Sequence, residues 1–226
     1  MTLRNCTSLA LVALAFLIAC PEGRAQDATG YYFGINGGRA KNGYHTSDYE
    51  AALEKLASNG SQTLTFKSRT LEDKSNAWWA EAGYMRWSHV GLEADFLHLG
   101  ELAYRGYATL SPPTSPLVAT TNVSTRGPAV ALLVRVPLVE QVALNFRVGD
   151  YYGRTETIKG YSLQGSYAPS AVSTTVSSLL LGAGAAYAFD GHWSAHIDYL
   201  RVQKAGDSRT GTFNLDVATL GASYNF

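Results

Sequence analysis

Three features are scarce in this chain of 226 residues: charge, cysteine and long apolar runs. Charged side chains make up 16% of the residues, and 18 basic residues balance 18 acidic ones. An average soluble domain carries about 25% charged residues. A neutral, charge-poor chain lacks the basic surface that nucleic-acid binding requires. Aromatic residues still reach 12%, which is too many for a disordered chain. Nucleic-acid binding and intrinsic disorder are therefore both excluded at the outset.

The one long apolar run lies at the N-terminus. Leu9–Ala19 is apolar throughout and follows Arg4, and Gly23-Arg24-Ala25 places small residues at a cleavage site. This arrangement is typical of a secretory signal peptide that is cleaved after Ala25. No later run approaches the roughly 18 residues that a membrane-spanning helix needs. We therefore predict a signal peptide over residues 1–25 and a single domain over residues 26–226.

Both cysteines precede the predicted domain. Cys20 ends a Leu-Ile-Ala-Cys segment that resembles a lipobox, so lipidation at Cys20 competes with cleavage after Ala25. Pro21, directly after the cysteine, disfavours lipidation. If cleavage follows Ala25, Cys6 and Cys20 leave with the signal and the exported domain has no thiol. Such a domain is stabilised by something other than disulfide bonds.

Apolar residues alternate with small or polar residues along most of the remaining chain. In one such stretch, Leu144, Phe146 and Val148 alternate with Asn145 and Arg147. A period of two over about ten residues predicts a β-strand with two different faces. The pattern predicts eight strands, an even number: Tyr31–Ala40, Trp78–Trp87, Val90–Leu97, Val130–Val136, Val142–Val148, Leu179–Phe189, Trp193–Tyr199 and Thr212–Phe226.

The two strand faces distinguish a membrane barrel from a soluble sandwich. Tilted strands of about ten residues match the thickness of a bilayer, and the apolar face carries aromatic residues near the strand ends. Aromatic girdles that flank an apolar band are typical of transmembrane β-barrels. The aromatic residues are Trp78, Tyr84, Tyr187, Phe189, Trp193, Tyr199, Tyr224 and Phe226.

The second face mixes glycine and alanine with single charges. A soluble core would not collect so many charges, because each buried charge needs a partner. Inside a small barrel the charges can pair across the lumen. The pattern therefore predicts an all-β fold, an eight-stranded antiparallel up-and-down transmembrane β-barrel, with the pairing partners left open. The predicted lumenal polar network consists of Glu81, Glu93, Asp95, Arg135, Arg147, His196 and Asp198.

The connections between strands predict the orientation in the membrane. Three are tight turns, at Ser88-His89, Leu138–Gln141 and Asp190–His192, whereas four are long: 41–76, 105–126, 155–175 and 203–211. In outer-membrane barrels the short turns face the periplasm and the long loops face outside. Both termini are then periplasmic.

The first long connection also predicts a helix over Asp48–Ser58. Ser47 and Glu50 have the spacing of a capping box, and Asn59-Gly60 ends the segment. Two interpretations remain open for this helix. It either rests as a lid on the barrel rim or presents a surface to a partner.

Several segments resemble the OmpA-like and opacity-type superfamily of small outer-membrane β-barrels. The resemblance implies a multi-pass barrel in the outer membrane of a Gram-negative bacterium, surrounded by lipid and lipopolysaccharide. It also implies a barrel-only member without a peptidoglycan-binding domain, and a C-terminal signal, Tyr224 and Phe226, for the barrel assembly machinery. The segments are Leu133–Gly149, Leu180–Trp193, Ile197–Val202 and Leu220–Phe226.

An eight-stranded barrel is just wide enough for side chains to fill its interior. We therefore expect a lumen plugged by polar side chains and a structural or surface-interaction role, in adhesion or recognition. The expected partner is a host or surface ligand that binds loops 41–76, 105–126 and 155–175. No metal or cofactor motif stands in a suitable context, so no cofactor is expected.

The alternatives are a narrow channel and a lipid-modifying enzyme, which would use serine, histidine and a carboxylate. The candidates are Ser88-His89 and a second set, Ser194, His196 and Asp198, whose members share one strand face. Same-face neighbours on a strand lie roughly 6–7 Å apart, which exceeds the reach of a nucleophile and its base. His98 lies nearer the outer rim but lacks a serine two residues later. The chain is therefore predicted not to be an enzyme.

Overall fold

The computed structural model describes residues 29–43, 46–112, 114–163 and 166–226. The predicted signal peptide and both cysteines lie outside these residues. Within them, no helix is long and apolar enough to cross a membrane. The elements are β1 (Gly30–Asn42), α1 (Thr46–Asn59), β2 (Thr63–Glu72), β3 (Lys74–Trp87), β4 (Val90–Ser111), β5 (Ser115–Val139), β6 (Val142–Leu163), β7 (Ser166–Ala188), β8 (Trp193–Ala205) and β9 (Phe213–Asn225).

Eight of these strands close into an antiparallel ring. The order around the ring is β1-β3-β4-β5-β6-β7-β8-β9, and β9 pairs with β1 from Tyr32↔Asn225 to Asn42↔Leu215. Closure pairs every ring strand on both sides, so the ring has no free edge. The predicted eight-stranded up-and-down barrel is confirmed.

Alternate residues of the ring strands face outward and inward. On β1, Phe33 and Ile35 are more than half exposed, at 54% and 61%. Tyr32, which precedes them, and Asn36, which follows them, are buried. The aromatic residues of the predicted girdles lie on the outward face. At the C-terminus, the ring of Tyr224 contacts those of Trp193 and Phe226, each at a centroid distance of 5.1 Å.

The short turns and both ends of the described chain lie at one end of the barrel, which we call the turn end. The β3–β4, β5–β6 and β7–β8 connections are tight turns, as predicted. The backbone N–H of Phe226 donates a hydrogen bond of 3.0 Å to Tyr31 O, which joins the two ends of the described chain. Tyr224 and Phe226 are therefore at this end, and their role in assembly stays a prediction.

The strands extend much further at the opposite end, the loop end, than the sequence predicted. Residues 105–126 and 155–175 form paired strands and not long loops, and β2 lies inside the predicted loop 41–76. Alternation continues there with threonine, serine and valine in place of large apolar residues. Thr121, Val123 and Thr125 face inward, for example. β-Branched residues favour strands even where they are polar. The prediction of loops here was wrong because it relied on the polarity of these residues.

These extensions form a five-stranded outer sheet, made of β2 and the loop-end parts of β4, β5, β6 and β7. β2 continues the line of β3 along the same edge of β4, because Trp78 pairs with His98 and Glu72 pairs with Ala103. One face of the outer sheet continues the lumenal face of the barrel, and the other continues the outward face.

The predicted helix is confirmed as α1, and it packs on the inner face of the outer sheet. Leu53 and Ala57 are buried, at 7% exposure each, in an apolar contact region with Leu110 and Leu117. The predicted capping box is wrong, because the helix begins at Thr46 and Ser47 lies inside it. The Glu50 carboxylate instead accepts two hydrogen bonds of 2.8 Å from Arg69 Nη1 of β2. The helix is thus attached to the sheet by an apolar face and an ion pair.

The fourth long connection is the loop over residues 206–212, and hydrogen bonds to Asp207 fix its conformation. The Asp207 carboxylate accepts hydrogen bonds from the backbone N–H groups of Arg209 and Thr210, at 2.8 and 3.1 Å, and from Thr174 Oγ1 at 2.9 Å. Donation from the Thr210 N–H, with the other bonds, holds the pKa of Asp207 below its usual range. The stabilisation that the ionised Asp207 carboxylate gives to the folded loop is therefore fully present above the ordinary carboxyl pKa of about 3.9. It is lost only as the pH falls through the lowered pKa of Asp207.

Leu53→Asp is expected to detach α1 and leave the barrel folded. A carboxylate placed in the apolar contact with Leu110 and Leu117 would cost several kcal/mol, so the helix would leave the sheet. Limited proteolysis should then cut within residues 46–62, while the boiled and unboiled proteins still migrate differently on a denaturing gel. Ala51→Asp places the same group on the exposed side of α1 and should stay resistant to the protease. Equal resistance of both variants would contradict the observed packing.

Candidate functional site

Inward side chains fill the barrel in three layers. At the turn end, Tyr32, Met85 and Leu133 form a small apolar cluster. A layer of charged side chains lies next, and a larger apolar layer follows toward the loop end. Because inward residues come from every ring strand, each layer is assembled by closure of the ring.

Arg147 of β6 is the centre of the charged layer. Its Nε donates to Glu93 Oε2 at 2.6 Å and its Nη1 donates to Asp198 Oδ1 at 2.5 Å. Its Nη2 lies 3.5 Å from Glu81 Oε2. All four side chains are at most 3% exposed. One guanidinium therefore joins β6 to β3, β4 and β8 across the lumen.

His196 of β8 bridges two of the same carboxylates. Its Nδ1 lies 2.6 Å from Asp198 Oδ2, and its Nε2 lies 3.4 Å from Glu81 Oε1. The Nδ1 contact is a hydrogen bond, whereas Nε2 lies within ion-pair distance of Glu81 but has no hydrogen-bond partner among the described residues. The geometry therefore suits a second cation in a layer that holds three carboxylates around Arg147.

Uncharged side chains also donate hydrogen bonds to two of the carboxylates, Glu81 and Glu93. Tyr32 donates its hydroxyl to Glu93 at 2.6 Å, and Asn36 Nδ2 and Trp79 Nε1 donate to Glu81 Oε2 at 3.1 and 3.2 Å. The sequence interpretation missed these three residues. Strand parity could have found them, because each has the phase opposite to its outward neighbours.

Two predicted members of the network stand apart from Arg147. Arg135 donates from Nε to Asn145 Oδ1 at 3.2 Å. Asp95 is buried, and among the described residues its Oδ1 has no hydrogen-bond partner. The structure therefore brings together five of the seven predicted residues: Glu81, Glu93, Arg147, His196 and Asp198.

Two glycines create the space that the charged layer needs. Gly184 pairs with Asp198 and Gly221 pairs with His196 in the strand register. A Cβ at Gly184 would collide with the Asp198 carboxylate, and a Cβ at Gly221 would collide with the His196 ring. The absence of a side chain at these positions lets the charged groups lie against the barrel wall.

An apolar layer that the sequence interpretation missed lies between the charged layer and the loop end. Leu97, Leu180 and Leu200 are fully or almost fully buried. The sequence interpretation expected glycine, alanine and single charges on the inward face and a lumen plugged by polar side chains, whereas this half of the lumen is filled by aliphatic and aromatic side chains. The buried cluster contains Ala40, Ala77, Trp79, Leu97, Leu99, Leu102, Val123, Ala129, Ala131, Tyr151, Leu180, Leu200, Val202, Ala205, Phe213, Leu215 and Val217.

The candidate catalytic set of β8 is not assembled. Ser194 Oγ hydrogen-bonds Ser223 Oγ at 2.8 Å, while His196 is engaged by Asp198. The side chains of His196 and Asp198 bend toward each other within the lumenal network, to 2.6 Å between Nδ1 and Oδ2. Among the described residues, no group of histidine, cysteine, aspartate and glutamate has the arrangement of a metal site.

A groove of about 700 Å³ crosses the outward face of the outer sheet. Its two exposed tyrosines, Tyr107 and Tyr167, lie on one cross-strand row through Val118 and Ser162. Their side chains are 43% and 60% exposed. The groove is lined by Thr70, Glu72, Ala103, Tyr104, Arg105, Tyr107, Thr120, Asn122 and Tyr167.

Gly160 allows Tyr167 to lie across the sheet. A Cβ at Gly160 would collide with the Tyr167 hydroxyl and approach Thr120 Oγ1. The Tyr167 ring therefore leans from β7 over β6 toward β5. This position makes the ring one wall of the groove, opposite the wall that β4 supplies with Arg105 and Tyr107.

A family model described as the outer membrane protein beta-barrel domain matches residues 9–226. No curated protein matches the chain.

Solved structures give low-identity matches over nearly the whole fold. Ail, the attachment invasion locus protein of Yersinia pestis, is 17% identical with a TM-score of 0.40, over 88% of this chain and 99% of Ail. Neisserial surface protein A is 12% identical with a TM-score of 0.44, over 88% of this chain and 98% of that one. OprG from Pseudomonas aeruginosa is 11% identical with a TM-score of 0.44, over 91% of this chain and 99% of that one.

Proposed function

Because the chain belongs to the outer membrane protein β-barrel domain family, we propose that it is a non-catalytic surface-recognition protein of the Gram-negative outer membrane. The turn end of such a barrel faces the periplasm and the loop end faces outside. The outer sheet then stands beyond the lipid-facing apolar band, where it is accessible to ligands. A recognition role fits this position.

The groove between Tyr107 and Tyr167 is the observation that carries this proposal. Its volume of about 700 Å³ lies within the usual range of roughly 300–1,000 Å³ for small-ligand sites. Exposed tyrosine rings offer flat apolar faces with a polar tip. Glu72, Arg105 and Asn122 add hydrogen-bonding groups of three kinds. Because a sugar presents apolar C–H faces and many hydroxyl groups, we assign the groove to a carbohydrate ligand.

The filled lumen supports recognition over transport. A layer of charged side chains around Arg147 and an apolar layer around Leu97 and Leu200 follow each other along the barrel axis. Small barrels have interiors that side chains can fill. A narrow channel would need a continuous polar path through the apolar layer. A lipid-modifying enzyme would need a serine, a histidine and a carboxylate together near the outer leaflet, whereas the hydrogen-bonded pair Ser88 and His89 lies in the β3–β4 turn at the turn end.

Tyr107→Ala and Tyr167→Ala are each expected to weaken carbohydrate binding about tenfold, which corresponds to about 1.4 kcal/mol for the loss of one stacking face. The measurement is binding of the purified, folded protein to a glycan array, followed by titration of the best glycan. Ser173→Ala, on the same outward face of β7 but outside the groove, serves as the matched control. All three variants should retain the mobility shift on heating.

Gly160→Val provides an independent test of the same groove. The added side chain would displace the Tyr167 ring without removing it, so binding should fall as in Tyr167→Ala. If the wild-type protein bound no glycan, or if the tyrosine variants bound as well as Ser173→Ala, the proposed carbohydrate site would be wrong.

A further inference from the structure

A row of four side chains crosses the outward face of the barrel near the loop end. In the strand register Trp78 pairs with His98, His98 pairs with Arg126, and Arg126 pairs with Arg154. The Trp78 and His98 rings are stacked with a centroid distance of 5.9 Å. Both arginines are exposed. Two guanidinium groups are therefore carried by directly opposed residues of β5 and β6, beside a pair of stacked rings. We call these four residues the arginine row.

The arginine row lies where the outward face changes from apolar to polar. On its turn-end side the outward residues are Phe96, Pro128 and Tyr152, and Phe96 and Tyr152 are 44% and 57% exposed. On its loop-end side they are Glu101 and Glu156. The apolar band of a transmembrane barrel ends at the headgroups of the outer leaflet. The arginine row is therefore at headgroup level.

Neither arginine of the row has an ion-pair partner among the described residues. Other exposed arginines do have one: Arg69 contacts Glu50, Arg201 contacts Asp216, and Arg209 contacts Asp207. Like charges on directly opposed strand residues repel each other. An anion between Arg126 and Arg154 would remove this repulsion.

The nearby carboxylates do not supply that anion. Glu101 and Glu156 lie one outward position further toward the loop end, and neither forms an ion pair with the arginines. Asp150, on β6, lies four residues toward the turn end from Arg154. Its carboxylate already accepts hydrogen bonds of 2.7 and 2.8 Å from Ser177 Oγ.

We propose that Arg126 and Arg154 bind a phosphate group of lipid A, the phosphorylated glycolipid of the surrounding outer leaflet. A guanidinium donates to phosphate through two parallel N–H groups, so two opposed arginines can enclose one phosphate. Phe96 and Tyr152, directly below the row, then contact the acyl and sugar parts of the same lipid. This site is distinct from the carbohydrate groove, which lies further toward the loop end.

The test compares two lipids that differ only in phosphate. The purified full-length barrel in detergent micelles is mixed with bisphosphorylated lipid A or with dephosphorylated lipid A, and the retained lipid is measured by native mass spectrometry. The wild-type protein should retain the phosphorylated lipid preferentially. Arg126→Gln and Arg154→Gln should each lower this affinity about tenfold, because each removes a charge-assisted contact.

Arg201→Gln is the matched control, because it removes an exposed arginine whose charge Asp216 already balances. This variant should bind lipid A as the wild type does, and Arg154→Lys should bind better than Arg154→Gln. Arg126 and Arg154 lie on different strands, so failure of one variant to fold leaves the other as the test. Equal retention of both lipids, an equal loss in Arg201→Gln, or displacement of lipid A by inorganic phosphate at the same concentration would each overturn the assignment.

Discussion

Arg147→Ala is expected to destabilise the barrel by several kcal/mol. The change removes the guanidinium that contacts Glu81, Glu93 and Asp198, and leaves three buried carboxylates in one layer. Removal of one partner from a buried ion pair costs about 3–5 kcal/mol. Because domains are stable by only about 5–15 kcal/mol, the variant should unfold at much lower urea concentration or fail to fold. The measurement is urea unfolding in detergent micelles, with the heat-dependent gel shift as the sign of a folded barrel.

Two further variants distinguish the charge network from general sensitivity of the barrel. Arg201→Ala removes an exposed arginine of β8 and should change the free energy of unfolding by less than about 1 kcal/mol. Combining Glu93→Gln with Arg147→Ala should recover part of the lost stability, since it removes one of the carboxylates that the single variant leaves uncompensated. If Arg147→Ala unfolded with the same midpoint as Arg201→Ala, the contacts of Arg147 would contribute no stability.

Trp79→Ala is expected to cost about 3–5 kcal/mol, as large-to-small changes in a packed interior do. The Trp79 side chain is 1% exposed, belongs to the apolar layer and donates from Nε1 to Glu81. Its removal would open a cavity between the apolar and charged layers and also remove a donor from a buried carboxylate. Urea unfolding of the purified barrel gives the change directly.

Trp78→Ala provides a control one residue away. Trp78 is 44% exposed on the outward face, where it contacts the rings of Phe96 and His98. Loss of these contacts leaves no cavity in the interior, so we expect about 1 kcal/mol of destabilisation. Equal losses for the two tryptophan variants would mean that the strand faces are assigned incorrectly.

The inward and outward faces illustrate what local pattern can predict. Phe33 and Ile35 face outward and Tyr32 and Asn36 face inward because successive strand side chains point to opposite sides. A closed barrel with this alternation buries the same set of residues at every register that keeps like faces together, because only a slip of an odd number of residues would exchange the two faces. The eight ring strands, the tight turns and the location of the charged side chains in the lumen follow from this property.

The outer sheet shows where pattern is insufficient. Residues 105–126 are polar enough to predict a loop, yet they form strands because β4, β5 and β6 pair along their whole length. Cross-strand hydrogen bonds and the packing of α1 over Leu110 and Leu117 stabilise these extensions. Such contacts join residues that are distant in sequence, so the polarity of residues 105–126 does not indicate them, and only the β-branched alternation of the segment favours strands.

Strand parity is a local property, so the amino-acid pattern alone predicts which side chains of the ring enter the lumen. Which of these side chains contact each other depends on the tertiary structure. Arg147 contacts Glu93 and Asp198, which are 54 and 51 positions away, because strand register and closure of the ring bring their strands to a common level. Gly184 stands opposite Asp198, and Arg126 stands opposite Arg154, for the same reason. Register is a relation between strands, so the charged layer, the groove and the arginine row exist only once the ring is closed.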